Sequence, residues 1–206
     1  MMDKPFAESC VENRAPILEV LRSRLGDCRR LLEIGSGTGQ HAVYFAPEFP
    51  QLSWQTSDRE ENHGGIRAWL DDAGLANVAS PISLDVVSDA WPSGHFDAVF
   101  SANTAHIMPM QAVQAMFRGV GPVLRPGGQF LLYGPFNYDG CFSSESNARF
   151  DVWLKQRDPA MGIRDLDDLN RLAAEVDLVL MEDIEMPVNN RTLVWRKTKV
   201  RAPKRR

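Results

Sequence analysis

Short apolar runs recur along the chain, and polar turns separate them. Five runs have the length and apolar density of β-strands and cover residues 30–34, 52–58, 81–86, 95–103 and 124–134, the last of which opens with a turn. Between them, apolar residues at helical spacing predict helices over 42–46, 59–73 and 110–120. Strands that alternate with helices in this way form a parallel sheet with helices on both faces.

The N-terminal end adds one more predicted helix to this alternation. Apolar side chains at helical spacing in residues 17–25 predict an amphipathic helix ahead of the first strand. Pro16 fits its first turn and Gly26 its end. Asn13 and Arg14 would then stand just before the helix, where they could reach a ligand over the sheet edge.

The section after residue 134 differs from the rest. Residues 135–165 are polar and too numerous for a plain connection, so we expect them to cap a binding site. A helix is predicted over 166–176, and strands over 178–186 and 192–196 are joined by a turn. The sequence therefore predicts an α/β, Rossmann-like fold: a seven-stranded, mostly parallel sheet with helices on both faces and a C-terminal antiparallel hairpin.

The most informative stretch joins the first strand to the helix after it. Residues 31–41 read LLEIGSGTGQH, an apolar run that meets an acid and then three glycines at alternate positions. Glycine permits positive φ and lets a ligand approach the main chain closely. The dinucleotide fingerprint places its third glycine one residue later, where this chain has Gln40.

Polar residues also follow the other predicted strands. Asp58 ends the second strand, 19 residues after Gly39, and a carboxylate there can accept both hydrogen bonds of a ribose diol. Asp85 comes near the end of the third strand and Asn103 ends the fourth. Because the carboxyl ends of parallel strands meet at one edge, these side chains are expected to lie together.

Composition fits an ordinary globular chain. The 206 residues suit one domain, which we place at 1–197, followed by a basic tail at 198–206. Seven basic residues and no acidic ones lie between Arg196 and Arg206, so the rest of the chain carries a net charge of about −11. An acidic body disfavours a nucleic-acid partner.

Other candidate sites and locations are disfavoured by what the chain lacks. No apolar run is long enough to span a bilayer, and no membrane partner is expected. Three widely spaced cysteines and no C-x-x-C pair argue against disulfides and metal sites, so no metal is expected. A cytoplasmic location is the simplest expectation.

The glycine turn, the strand-end acids and the L-x-P-G-G turn at 124–128 resemble the class I S-adenosylmethionine (SAM) methyltransferases. Stretches such as ENRAPIL (12–18), NTAHI (103–107), YGPF (133–136) and MPVNN (186–190) further resemble the methyltransferase-like protein 26 family. This resemblance implies SAM as cofactor and S-adenosylhomocysteine (SAH) as product. It implies cofactor contacts from Glu33, Gly35, Ser36, Gly37, Thr38, Gly39, Asp58, Asp85, Val86 and Asn103, with Asn13 and Arg14 as further candidates.

Methyl transfer requires an aligned nucleophile and, for some acceptors, removal of a proton. His106, which follows the fourth strand, is the candidate base, with a structural histidine as the alternative. Tyr133 is a second catalytic candidate. Asn137, Arg164 and Asn190 are candidates for binding a small-molecule acceptor, although Arg164 could instead pair with a neighbouring aspartate. The oligomeric state has no signal in the sequence.

Three other functions fit parts of the pattern. An NAD-dependent oxidoreductase would share the strand-end acid, but Gln40 and the terminal hairpin disfavour it. A SAM-binding module that acts through a protein partner would have the same cofactor residues. A nucleic-acid methyltransferase could use the basic tail, but the acidic body and the lack of an Asn/Asp-Pro-Pro-aromatic motif at 103–106 disfavour that function.

Overall fold

The computed structural model describes residues 4–198 and contains one central seven-stranded sheet. Its strands are β1 (Arg30–Ile34), β2 (Ser53–Asp58), β3 (Val78–Ser83), β4 (Phe96–Ala102), β5 (Leu124–Gly134), β8 (Leu178–Met186) and β9 (Asn190–Lys197). Two short strands, β6 (Phe136–Asn137) and β7 (Arg164–Asp165), form a separate pair. The helices are α1 (Glu8–Leu25), α2 (Gln40–Phe45), α3 (His63–Ala73), α4 (Met110–Val123), α5 (Glu145–Arg157) and α6 (Leu166–Glu175).

The strand order confirms the predicted topology. The sheet runs β3-β2-β1-β4-β5-β9-β8. The first five strands are parallel, while β9 is antiparallel to β5 and β8 is antiparallel to β9. The order reverses between β1 and β4, so the loops after these two strands diverge at the carboxyl edge and leave a crevice there.

Each face of the sheet carries its own apolar core. On one face, α1 and α2 cover a cluster in which Phe45, Trp54 and Phe100 meet at ring-centroid distances of 5.9–6.2 Å. On the other face, α4 and α6 cover a cluster that includes Phe117 and Trp195, 5.4 Å apart. Burial of these aromatic rings helps to hold the helices on the sheet.

Several elements have bounds that differ from the predicted ones, and the differences in α1 and β3 affect the site. Helix α1 begins at Glu8, so Pro16 lies in its middle and Asn13 and Arg14 belong to the helix instead of preceding it. Strand β3 ends at Ser83. The apolar residues Leu84 and Val86, predicted to be strand, leave the sheet and pack into the core beside α4.

Residues 135–165 fold over the carboxyl edge and are called the cap below. They contain α5 and the β6–β7 pair. The Tyr138 hydroxyl donates to Asp183 of β8 at 2.8 Å, and the Asn147 amide donates to the Asn189 carbonyl at 3.2 Å. These bonds fasten the cap to the terminal hairpin.

Within residues 4–198, no helix is long and apolar enough to cross a membrane. The predicted basic tail, apart from Thr198, lies outside the described residues.

Candidate active site

A cavity of about 1080 Å³ lies along the carboxyl edge of the sheet. That volume is large enough for a nucleoside-sized ligand. Residues from the turns after β1, β2, β3 and β4 line it. Among the predicted cofactor residues, the structure brings eight together in its lining: Gly35, Ser36, Gly37, Thr38, Asp58, Asp85, Val86 and Asn103.

The glycine turn is built from positive φ angles and close packing. Gly35, Gly37 and Gly39 have φ of 70°, 58° and 90°. A Cβ on Gly35 would lie 2.6 Å from the Thr104 methyl group, and one on Gly39 would lie 3.1 Å from the Ile66 Cα. Gly35 therefore lets the β4 loop approach the turn, whereas Gly39, behind the lining, lets α3 approach.

Glu33 lies beneath the turn and outside the cavity lining. Its Oε2 accepts hydrogen bonds from the Ser36 hydroxyl at 2.9 Å and the Trp54 indole at 3.0 Å. Burial raises the pKa of Glu33 to about 7, although those two hydrogen bonds act to lower it and Asp58 acts to raise it. The carboxyl thus changes charge near neutral pH.

Asp58 connects the turns after three strands. Its carboxylate accepts from the Gly37 amide at 2.7 Å and from the Asn62 side chain at 2.8 Å. Its backbone carbonyl accepts from the Leu84 amide at 2.9 Å. The side chain therefore holds the glycine turn while facing the cavity.

Hydrogen bonds also order the backbone after β3 and after β4. Asp85 accepts from the Val87 amide at 2.9 Å, and its own amide donates to Asp89 at 2.8 Å. Asn103 has a φ of 59°, and its amide donates to the Tyr133 carbonyl at 2.9 Å. These bonds fix the backbone on both sides of the crevice.

Asn13 and Arg14 do not line the cavity. Asn13 Oδ1 lies 2.8 Å from Nε2 of His41, and the Arg14 guanidinium lies 4.5 Å from the centre of the Tyr44 ring. His41 does line the cavity, and burial, assisted by Arg14, lowers its pKa to about 4. Asn13 is thus linked to the site through a neutral histidine.

His106 is buried, with 7% of its surface exposed, and lies outside the cavity lining. Its ring packs edge-on against Phe150 of the cap at 5.4 Å. Burial, followed by the positive charge of Arg164, lowers its pKa to about 4. The imidazole is therefore neutral at physiological pH.

Tyr133 and Asn190 lie near each other beside the cavity, outside its lining. Burial raises the pKa of Tyr133 to about 12, while the nearby Asn190 side chain acts to lower it. Tyr133 packs in the core under α1, whereas a Cβ on Gly134 would lie 3.6 Å from Nδ1 of His106. Because successive strand residues face opposite sides, the two catalytic candidates flank opposite faces of β5.

Arg164 is not directed into the cavity. Its guanidinium donates to the backbone carbonyls of Ala105 at 3.0 Å and Ala160 at 2.9 Å, and also to that of Met108. Burial lowers its pKa. Neither of the nearby aspartates considered from the sequence is its partner among the described residues; it connects the β4 loop to the cap.

Asn137 lies in β6 of the cap, outside the cavity lining. Its Oδ1 is buried and has no hydrogen-bond partner among residues 4–198. Such an atom is uncommon in folded proteins.

Sequence reasoning missed Arg59, Glu61, Asn62 and Gly65 after β2, and two further parts of the lining. One is apolar and includes Leu84, Ile107, Met108 and Ala112; its signal was the apolar residues around the ends of strands three and four and at the start of α4. The other lies ahead of and in the first turn of α1 and consists of Pro5, Ala7, Ser9 and Cys10. No motif marks these N-terminal residues, because long-range contacts bring them to the site.

The fold is similar to solved methyltransferase structures. An O-methyltransferase family protein from Burkholderia thailandensis superposes with a TM-score of 0.81 over 94% of this chain at 14% identity. Mitomycin 7-O-methyltransferase MmcR gives a TM-score of 0.79 over 92% of this chain at 14% identity. The structure of PigF with SAH gives a TM-score of 0.77 over 90% of this chain at 15% identity. This chain spans 59%, 54% and 56% of those chains, respectively. It has the Rossmann-like methyltransferase fold that the sequence predicted.

A curated protein also matches part of the chain. The highly reducing polyketide synthase easB of Emericella nidulans is 24% identical over 144 residues, which is 64% of this chain and 6% of the synthase. The narrower resemblance to the methyltransferase-like protein 26 family stays a prediction. A family model matches residues 4–197, nearly the whole chain. The protein therefore belongs to the family described as Protein of unknown function (DUF938).

Proposed function

We propose that this protein is a SAM-dependent methyltransferase that acts on a small-molecule acceptor. The observation that carries the proposal is the single cavity shared by the glycine turn, Asp58, Asp85 and Asn103. Four consecutive strand ends along the sheet edge supply these groups, as a nucleoside with an amino-acid arm would require. The methyltransferase fold supports the same function.

The charge of the cavity favours SAM over a dinucleotide. Four acidic residues line it: Asp58, Glu61, Asp85 and Asp158. The basic lining residue is Arg59, which pairs with Glu61 at 3.0 Å. A negative lining attracts the sulfonium and ammonium groups of SAM and repels the two phosphates of NAD.

The residues divide among the parts of SAM. The glycine turn would hold the methionine arm, and the Glu33 carboxylate beneath the turn would attract its amino group. Asp58 would accept the ribose hydroxyls, and Asp85 and Val86 would bind the adenine. Leu84, Met108 and Ala112 supply apolar surface for the base. When bound, SAM supplies an electrophilic methyl group on a cationic sulfur that leaves as a neutral thioether.

The chain's own contribution to the reaction is mostly positional. Alignment of reacting groups alone can lower a barrier by roughly 7–11 kcal/mol. His106 is neutral and retains a lone pair, but a pKa of about 4 makes it a weak base. Tyr133 stays protonated below a pKa of about 12, so it would act as a hydrogen-bond donor.

The acceptor would enter between the cap and the end of β5. Asn137 has a buried oxygen without a described partner, and Asn190 lies near the Tyr133 hydroxyl. These groups and Tyr133 are uncharged, which fits a neutral polar acceptor. Arg164 could bind the acceptor only if it released the backbone carbonyls to which it now donates.

We also propose that residues 1–197 form one domain and that the protein is cytoplasmic.

Isothermal titration calorimetry of the purified chain with SAM and with SAH tests the proposal. We expect micromolar dissociation constants for both, and no response to NADH in a fluorescence titration. Binding of NADH without SAM would favour the oxidoreductase. SAM binding without SAH formation across broad metabolite pools would favour a non-catalytic SAM-binding module.

A further inference from the structure

The residues directly before α1 form part of the cavity wall, although they do not belong to the sheet. Residues 4–7, called the strap here, precede α1, and Pro5 and Ala7 line the cavity together with Ser9 and Cys10 of the first helical turn. Phe6, between them, points outward with 66% of its surface exposed. The strap thus presents alternate residues to the site.

Four contacts hold the strap on α3. The Pro5 carbonyl accepts from the Trp69 indole at 2.6 Å. The Lys4 ammonium lies 3.9 Å from the centre of the Trp69 ring and pairs with Asp72. The Pro5 ring packs on Gly65, where an added Cβ would lie 2.5 Å from it. Gly65 itself lines the cavity, so this contact closes the wall beside Asp58.

Gln40 ties the strap to the glycine turn. Its Oε1 accepts from the Ala7 amide at 2.6 Å and from the Thr38 hydroxyl at 2.9 Å. The side chain is buried, with 7% exposed. Gln40 occupies the position where a dinucleotide fingerprint has glycine, and a glycine there could not make either bond.

We propose that the strap is a cofactor-binding wall and that Gln40 is the positioning residue that couples it to the glycine turn. The inference rests on the proposed function, since the ligand enclosed is SAM or SAH. Apart from the contacts of Pro5 with Gly65 and of Lys4 with Trp69, the strap is held by two hydrogen bonds and an exposed ion pair, and exposed ion pairs contribute little. The wall therefore opens to admit the cofactor and, when closed, slows its escape.

The test compares SAH dissociation rates, measured by stopped-flow, in four variants. Gln40→Met removes the acceptor, so we expect dissociation to be about fivefold faster. Gln40→Glu keeps an acceptor oxygen and should stay within about twofold of the unaltered chain. Trp69→Phe removes the indole donor while keeping an aromatic ring under Lys4, and should accelerate dissociation about threefold.

Gln51→Met is the matched control. Gln51 also bonds the backbone, donating to the Gly26 carbonyl at 3.1 Å, but outside the cavity lining. The Gln51→Met variant should therefore release SAH at the same rate as the unaltered chain. Hydrogen exchange of residues 4–10 should slow when SAH is added to the unaltered chain, and less so in Gln40→Met.

An unaltered dissociation rate in both Gln40→Met and Trp69→Phe, with no effect of SAH on exchange at residues 4–10, would overturn the inference while leaving SAM binding intact. Failure of the unaltered chain to bind SAM or SAH would instead overturn the proposed function. Equal acceleration by Gln40→Met and Gln40→Glu would remove Gln40 from the positioning role.

Discussion

The two halves of the carboxyl edge are built differently. The half over β1, β2 and β3 is made of short turns whose polar groups face one cavity. The half over β5 and the hairpin is covered by the cap, where Arg164 is engaged with backbone carbonyls and His106 is buried beside Phe150. In the first half, polar groups are turned toward a cavity, whereas in the second half Arg164 and His106 contact other parts of the protein.

This difference separates what local sequence determines from what tertiary contacts determine. The Gly35 and Asp58 positions follow from the turn chemistry directly after a strand. The roles of Arg164 and His106 depend on segments about 60 residues away in the chain. The following predictions compare the two halves. Single substitutions in the half over β1, β2 and β3 should change SAM affinity, whereas those under the cap should mainly change stability.

The largest effect is expected from Gly35→Ala. Its Cβ would lie 2.6 Å from the Thr104 methyl group at a φ of 70°, so overpacking and backbone strain combine to cost about 3 kcal/mol. Calorimetry should show SAM affinity lowered about 100-fold. Gly37→Ala has a similar φ but open space and should lose about tenfold or less. Equal losses would show that steric fit with Thr104 is irrelevant.

Asp58→Ala is expected to weaken SAM binding by at least about tenfold, because a charged acceptor is lost and the Gly37 amide loses its partner. Calorimetry measures this directly. Asp71→Ala, on an exposed position of α3, is the control and should bind SAM as the unaltered chain does. Unchanged affinity in Asp58→Ala would remove that residue from the site.

The protonation of Glu33 should make SAM affinity depend on pH. Below its pKa of about 7 the carboxyl is neutral and cannot attract the SAM amino group, so affinity should fall as pH drops from 8 to 6, by up to about tenfold. Glu33→Gln should flatten the profile. A profile equally steep in that variant would assign the pH dependence to another group.

Stability should follow the opposite trend. Folding raises the pKa of Glu33 from 4.5 to about 7, so between these values the folded chain holds a proton that the unfolded chain has released. This group's contribution to the free energy of unfolding therefore falls as pH rises from about 4.5 to 7 and is constant above. Urea unfolding of the chain and of Glu33→Gln across this range isolates the contribution.

Arg164→Ala should affect stability more than cofactor binding. Loss of the bonds to the Ala105, Met108 and Ala160 carbonyls should lower the melting temperature by roughly 4–10 °C. SAM affinity should stay within about threefold. Arg164→Lys should recover little, because an ammonium cannot reproduce the planar fork. An unchanged melting temperature would leave Arg164 free for an acceptor.

The smallest response is expected from His106. With a pKa of about 4, its imidazole should show no titration between pH 5.5 and 8 in NMR spectra of the free protein. Loss of one signal in His106→Ala identifies the resonance, and His41 should behave alike. A midpoint near 6.5 would contradict the buried environment and restore His106 as an effective base.

The parts of the fold that were predictable share one property: neighbours in sequence determine them. The mostly parallel sheet with its terminal hairpin follows from the alternation of strands and helices, and the convergence of the strand-end polar residues on one cavity follows from the turns after the strands. The start of α1 was not predictable, because proline usually occupies the first turn of a helix. Pro16 instead lies in the middle of α1, where one backbone hydrogen bond is lost. Leu84 and Val86 were misassigned because an apolar run does not distinguish a strand from a buried loop.

The positions of Tyr133 and His106 on opposite sides of β5 restrict the shape of an acceptor. Gly134 leaves only main chain between them at the tip of the strand. An acceptor that contacts both side chains must therefore pass over the main chain of Gly134, whereas a shorter one can contact only one of them. On the proposed function, the length of an acceptor would therefore decide whether it contacts one of these side chains or both.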